Sequence, residues 1–466
     1  MATIPAHDTR FRVASPPIRT DEPPAWRLLG FASLAIPIAG AGLPLVLFVP
    51  QLYASHYGLS LATIGLIFFL GRFWDVAADP IVGVLSDRTR SRFGRRKPWI
   101  AAGGLLFGLG SALLFFPPPV VAPLYLGVAL FVFYAGWTMI EVPFSAWAGE
   151  LSGAYHGRTR SVTFQQTAQA SGLLLVLILP TLLEQFRPAD IALKLHVVGG
   201  FILLTLAPAL ALSLTAFREA PRPAFEPKPE GFLRTTSLIL RDRLLVRVLA
   251  SDVAVTAGQS IRAGLITFFA VNYMGAPGWA SGLYLFQFVF GVFAAPIWLQ
   301  IGRRLGKRET AMAGELVQVA INLGLLFVVP GGIGLLLALT IAQGLAQGSG
   351  NLMLRAMVAD VADHHELETG HNRTGLFFSV FSLATKAGPA IGIGIALPLI
   401  AWMGFSPKGQ NTPEALETLK YVFALGPTLA HVVSAALIWR FPLDAQRHAT
   451  IRRALDARAA GQLPHD

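Results

Sequence analysis

Residues 71–99 read GRFWDVAADPIVGVLSDRTRSRFGRRKPW. The first half of this segment is apolar apart from Arg72, Asp75 and Asp79. The second half is dense in charge, with Asp87, Arg88, Arg90, Arg92, Arg95, Arg96 and Lys97. A long apolar run that breaks abruptly into Lys and Arg is the pattern of a membrane-spanning helix at its cytoplasmic exit, because short cytoplasmic loops collect basic residues. Asp75 and Asp79 stand four residues apart and so share one face of that helix. An ionisable side chain at mid-bilayer costs at least ~2.5–3.5 kcal/mol, and two neighbouring carboxylates resist joint ionisation in a low dielectric. A cation or a proton relieves that repulsion, so the pair reads as a coupling-ion site. The other reading is structural pairing with Arg72, or with Lys386 much further along the chain.

The same pattern recurs on both sides of this segment. The chain has 466 residues, 54% hydrophobic and only 14% charged, against roughly 25% charged in a soluble globular domain. A spanning helix needs about 20 apolar residues. Spans are predicted at 26–54, 61–86, 98–116, 121–147, 161–184, 194–217, 246–273, 279–301, 309–329, 333–358, 373–402 and 418–440. The predicted fold class is an all-α membrane protein with 12 transmembrane helices in two six-helix bundles. Its expected parts are a cytoplasmic N-terminal tail (1–25), an N-terminal bundle (26–217), a central cytoplasmic loop (218–245), a C-terminal bundle (246–440) and a cytoplasmic C-terminal tail (441–466). Residues 1–25 are rich in proline and charge and do not read as a cleavable signal.

The formal net charge of +11 lies mostly on one side of the spans. The loops after the second, sixth and eighth spans carry Arg88, Arg90, Arg92, Arg95, Arg96 and Lys97, then Arg218, Arg222, Lys228, Arg234, Arg241 and Arg243, then Arg303, Arg304, Lys307 and Arg308; the opposite loops are nearly bare. The positive-inside rule then places both termini in the cytoplasm of a multi-pass cell (inner) membrane protein. Basic charge beside lipid headgroups accounts for the imbalance without nucleic acid. There is no cysteine, which excludes disulfides, thiolate metal sites and thiol nucleophiles. No HExxH, nucleotide loop or GxSxG beside a histidine points to an enzyme or an ATP-driven pump. His364, His365 and His371 read as a cytoplasmic loop without ligand-like spacing, so no metal is expected. No cofactor is expected beyond a coupling ion, H+ or Na+. The expected partners are a small-molecule substrate, the coupling cation and the bilayer, with the chain acting as a monomer.

The two halves echo each other. PIVGVLSDRTRSRFGRRK at 80–97 is matched by PIWLQIGRRLGKR at 296–308, and ELSGAYHGRTR at 150–160 by DVADHHELETGHNRT at 360–374. Six helices repeated in parallel is the layout of two bundles that rock about a central site, a carrier rather than a channel. The basic motif reads as a gate. Asp87 caps or pairs across the cytoplasmic interface, Arg95 and Arg96 lock the inward-closed state through Glu150 or Asp360, and Arg72 and Arg373 are counted with them.

The segment at 71–99, together with GWTMIEVPFSAWAGEL at 136–151 and AMVADVADHHELETGHNRTGLFFSVFSLATKAG at 356–388, resembles the glycoside–pentoside–hexuronide:cation symporters, a branch of the major facilitator superfamily. The resemblance covers most of the chain and implies the major facilitator fold. It implies that Asp75 and Asp79 bind the coupling ion, that Thr138 helps ligate it, and that Lys386 sits beside the site, either standing in for the cation or fixed in a salt bridge. Glu141 stands where the family's melibiose permease has an aspartate that holds sugar hydroxyls. Three positions depart from that pattern: Ser145 replaces a stacking tryptophan, Gln166 replaces an arginine, and Ala39 replaces a sugar-clamping aspartate. Ala78 replaces an asparagine found in sodium binders, and a hard cation wants a full oxygen shell, so the balance tips to a proton. Arg262 is an addition, placed either to meet a substrate carboxylate or phosphate bidentately or to pair with Glu141 or Asp252. The expected function is cation-coupled symport, by alternating access, of a small solute such as a sugar or glycoside. The alternative is a carrier or exporter of a lipid-like or amphipathic organic anion.

Overall fold

The computed structural model describes residues 23–151, 155–188, 190–219, 242–408 and 410–459. The predicted tails up to 22 and from 460, most of the central loop (220–241), and 152–154 in the repeat motif lie outside the described residues. Among the described residues the chain is helical without strands, and 12 helices are long and apolar enough to cross a membrane. In the N-terminal half these are α1 (Ala25–Leu47), α2 (Leu61–Arg88), α3 (Lys97–Phe115), α4 (Pro123–Ala148), α5 (Tyr155–Glu184) and α6 (Ile191–Ala216). In the C-terminal half they are α7 (Arg243–Tyr273), α8 (Pro277–Leu305), α9 (Lys307–Phe327), α10 (Ile333–Thr369), α11 (Thr374–Trp402) and α12 (Pro413–Ile438).

Local sequence explains the irregularities. Pro37, Pro44 and Pro50 each withhold an N–H from the helical ladder, so the single run predicted at 26–54 is helical in three pieces, with Val49–Ser55 a short helix of its own. α8 and α9 are joined by Gly306 alone, at φ +97°, a conformation that glycine adopts without a Cβ penalty. That one-residue joint packs Arg303, Arg304, Lys307 and Arg308 into a single turn. α10 breaks at Gln347–Gly348 and then continues to Thr369, beyond the predicted end at 358. Nothing in ADVADHHELET stops a helix before Gly370. His364 and His365 therefore lie on a helix rather than in the predicted loop, and face Glu368 at 3.4 Å and Asp242 at 3.6 Å. Part of the predicted tail is also helical. α13 (Ala445–Ala459) docks on the end of α10, with Ile451 and Leu455 in a cluster with Phe377 and Phe441.

Within each half, small residues let helix backbones meet, as they must where lipid offers no hydrophobic drive to association. Gly110 of α3 and Gly136 of α4 face each other's backbones, and Gly172 of α5 lies on the backbone of Ile36 in α1. In the second half Gly388 and Gly392 of α11 lie on the backbone of α7. The pairs α1–α5 and α7–α11 correspond under the six-helix repeat.

The halves meet through α2–α11, α5–α8 and α1–α7. Pro398 and Leu397 of α11 cover Gly65 of α2, and Phe69 of α2 covers Gly394. Thr267 Oγ1 donates to the Leu47 carbonyl at 3.1 Å, and Lys408 Nζ to the His56 carbonyl at 2.8 Å. These ties lie toward the end opposite the basic loops.

A methyl at Gly136 would strike the backbone of Phe107, whereas one at Gly127 on the same helix meets open space. Overpacking of this kind costs ~1–3 kcal/mol. Gly136→Ala is expected to lower the thermal midpoint of the detergent-solubilised protein, and Gly127→Ala to leave it unchanged, as read by a melt followed through size-exclusion chromatography.

Candidate functional site

Three helices bring charge to mid-membrane at the seam between the halves. Pro80 follows Asp79 and cannot donate back to Val76, so the turn of α2 that holds both aspartates is already a polar patch in the helix wall. Asp75 is sealed, 1% exposed. It accepts from Thr138 Oγ1 of α4 at 2.8 Å and from Arg72 Nη1 at 3.3 Å. The Arg72 guanidinium in turn lies 4.9 Å over the Tyr134 ring. Asp79 is more open, its side chain 15% exposed, and its Oδ2 accepts from Lys386 Nζ of α11 at 2.6 Å. Lys386 also stands 3.7 Å from Asp75. Asp79 Oδ1 is buried without a hydrogen-bond partner. Glu141, one turn of α4 beyond Thr138, accepts from Trp137 Nε1 and adds its field to Arg72 and Lys386. The Trp137 ring reaches α1 at Gly42, where a Cβ would collide with it.

The structure thus gathers Arg72, Asp75, Asp79, Thr138, Glu141 and Lys386. Arg72 belongs to this cluster and not to the predicted gate. Ser145 lies one turn further along α4 and is bonded to Gln165 Nε2 at 3.3 Å. Gln165 is the buried member of its pair, while Gln166 is exposed. Arg262 is elsewhere. It is 1% exposed inside the C-terminal half, donates to Asn322 Oδ1 of α9 at 2.9 Å and stacks 5.3 Å over Phe423 of α12. It pairs with neither Glu141 nor Asp252, because its helix face points to α9 and α12, away from the seam. Asp252 instead accepts from Thr385 Oγ1 at 2.7 Å.

The predicted gate residues form two separate networks, one in each half. Arg96 Nη2 meets Glu150 at 2.7 Å and Asp87 at 3.2 Å, Arg95 Nη2 meets Glu150 at 2.9 Å, and Glu219 caps the backbone N–H of Arg96 at 3.0 Å. Asp360 is held by Lys307 at 2.6 Å and by His448 of α13 at 3.2 Å, so it is not the partner of Arg95 or Arg96. Arg373 stands at the start of α11. Each network ties the second-to-third helix joint of its half to the end of the fourth helix, which is the repeat seen in the two sequence motifs. Among the described residues no group of three His, Cys, Asp or Glu is arranged to hold a metal ion.

One contact between the halves escaped sequence reasoning. Glu184 at the end of α5 accepts from Ser281 N at 2.9 Å and Ser281 Oγ at 2.7 Å at the start of α8, and Lys194 Nζ of α6 pairs with it at 2.8 Å. A carboxylate at a helix N-terminus is doubly favoured, by free N–H groups and by the helix dipole. Glu184 and Lys194 flank a short loop and read in sequence as ordinary helix ends. Only the packing of α5 on α8 shows that both are buried.

The family profile described as MFS/sugar transport protein matches residues 29–445. The chain belongs to this family. A putative glycoside/cation symporter, YagG, of Escherichia coli K12 is 26% identical over 419 residues, covering 88% of this chain and 90% of that protein. A glucuronide carrier protein homologue of the same organism is 23% identical over 438 residues, covering 88% and 91%. The crystal structure of the nucleoside transporter NupG superposes with a TM-score of 0.64 at 12% identity, over 90% of this chain and 98% of that one; this likeness shows the fold alone. Membership of the MFS/sugar transport family agrees with the resemblance carried by the three sequence motifs.

Breaking a buried ion pair by removing one partner costs ~3–5 kcal/mol. In Glu184→Gln that cost falls on the state in which Lys194 is sealed, so the α5–α8 end is expected to open more often. Because the native chain has no cysteine, a single Thr181→Cys, on the face of α5 toward Gly282, reports this directly. Impermeant maleimide is expected to label it faster in the Glu184→Gln background. An equal labelling rate would show that Glu184 does not hold this end closed.

Proposed function

We propose that the chain is a secondary active symporter that moves a sugar- or glycoside-like solute together with a cation by alternating access, and that it is a transporter with no enzymatic step. The observation that carries this reading is the Lys386 ammonium between Asp79 and Asp75. The pair joins the two halves, so an ion that neutralises Asp79 also releases Lys386 and loosens the seam. Binding and rocking are then coupled through one charge.

The charges around the seam favour a proton. Asp75, Asp79 and Glu141 set three carboxylates against the two cations Arg72 and Lys386. One added positive charge neutralises the group. Asp79 Oδ1 offers an unused acceptor for a proton, while Ala78 supplies no oxygen to complete a sodium shell. Glu141, with Trp137 reaching α1, is the substrate-side acid, and Ser145 continues its surface along α4, held by Gln165 of α5. Arg262 has no place in this substrate site. The positive-inside rule assigns the basic end, and with it both termini, to the cytoplasm of the inner membrane. The closed end, with Glu184 on Ser281, is then the outer one.

Uptake into proteoliposomes after a pH jump, over a panel of glycosides, sugar acids and small carboxylates, tests this reading. Coupling free energies of ~1–3 kcal/mol correspond to roughly 5–150-fold effects, and a loss in that range is expected for Asp79→Asn. Accumulation by Asp79→Asn equal to the native protein would refute the ion-site assignment. Ala78→Asn, which adds an oxygen beside Asp79, is expected to introduce stimulation by sodium in the same assay.

A further inference from the structure

The core of the C-terminal half holds a second set of titratable groups that the symport reading does not use. Glu315 of α9 faces His431 of α12, with Oε2 and Nδ1 2.6 Å apart and both side chains no more than 2% exposed. α10 closes over them at Gly350, where any Cβ would strike Glu315 Oε1. His431 Nε2 is buried without a partner. Asp252 of α7, 1% exposed, adjoins Ser251, which faces α12 one turn from His431. Beside them Ser251 and Ser434 bond each other at 2.7 Å.

Among the described residues no Lys or Arg of the surrounding helices forms an ion pair with Glu315 or Asp252, and Arg355 of α10 is exposed. Arg262 of α7 is bonded to Asn322, Lys386 of α11 to Asp79, and Lys307 of α9 to Asp360 of α10; Arg308 lies on Glu309 at the basic end. The cluster therefore has to balance its own charge. The Nδ1–Oε2 bond needs one proton. With that proton alone, Glu315, neutral His431 and Asp252 carry two negative charges in a medium that penalises each of them. A second proton on His431 Nε2 and a third on Asp252 bring the cluster to neutrality. The hydroxyl of Thr385 fits the last of these. Its Oγ1 lies 2.7 Å from Asp252 Oδ2 and 3.0 Å from the Phe381 carbonyl. A hydroxyl has one hydrogen. Thr385 donates that hydrogen to an ionised Asp252, and on protonation of Asp252 it can turn the hydrogen to the Phe381 carbonyl and accept from the acid, so this hydroxyl serves both states.

We infer that Asp252, Glu315 and His431 form a second proton-binding site, distinct from the Asp75–Asp79 site and linked to it through the adjacent residues Thr385 and Lys386 of α11. One helix thus holds Lys386 against the N-terminal half and Thr385 against the C-terminal cluster. A movement of α11 at the seam changes the hydrogen bond that holds the Asp252 proton. The inference does not rest on which ion occupies the seam.

The test uses the full-length protein in nanodiscs near neutral pH. ¹⁵N-histidine NMR, with the His431 signals assigned by their loss in His431→Gln, reads the protonation of both ring nitrogens. Infrared difference spectra read a protonated carboxylic acid, assigned by its loss in Asp252→Asn or, should that variant not fold, by its shift in Thr385→Val. The expected result is an imidazolium at His431, a protonated Asp252, or both. Absence of both signals overturns the site. In Asp79→Asn the signals are expected to persist with shifted positions. Their disappearance there would place the proton at the seam and overturn the claim of a distinct site, while leaving the symport reading intact.

Discussion

A charge in the membrane interior has no water to answer it, and the pair between Lys386 and Asp79 is the place where this constraint spans the whole molecule. Either residue alone would be an uncompensated buried ion. Together they join α11 to α2 and draw in the rest of the seam, with Asp75 sealed behind by Arg72 and Thr138 and Glu141 one turn away. The arrangement is short of one positive charge, and in the proposed function a coupling ion fills that shortfall. A fully balanced cluster at the same position would hold the halves together with nothing to release them.

The two ends of the seam are secured by different physics. At the end away from the basic loops the halves hold each other directly, through Glu184 on the first turn of α8 and through proline and phenylalanine packed on glycines of the facing helix. At the basic end the strong ion pairs stay inside each half, Arg95 and Arg96 on Glu150 in one and Lys307 on Asp360 in the other. These networks brace each six-helix unit so that it moves as a body, which rocking between two bundles requires. The units are not identical copies. Glu219 completes the first network with an acid after α6, and His448 completes the second with a base after α12. The second network thereby recruits α13.

The departures from sugar-binding positions read from sequence take on a shape. Trp137, turned onto Gly42 and bonded to Glu141, occupies the α1–α4 contact, so the wall of the substrate region is aromatic and small where an acid on α1 was absent. Arg262, the one residue that invited an anionic substrate, lies inside the C-terminal half, with Nη1 on Asn322 and its plane over Phe423. Membership of a sugar-transport family agrees with the hydroxylated solute of the proposed function.

Much of this protein was legible in the chain itself. Span number and order follow from apolar length, which a bilayer of fixed thickness imposes. The basic end follows from Lys and Arg counts, and the six-helix repeat from two pairs of motifs. Helical spacing put Asp75 and Asp79 on one face, and the family likeness set Thr138 and Lys386 beside them. Helix direction was not legible. A sequence shows that Arg262, Glu184 or Glu315 sits in a span, but the face each presents depends on the rotation of that helix against neighbours far away in the chain. Tertiary packing alone turned Arg262 away from the seam, put Glu184 on the start of α8, kept Asp360 from Arg95 and Arg96, and set Glu315 against His431. In a membrane, where polar groups must find partners inside the protein, that rotation decides which charges meet.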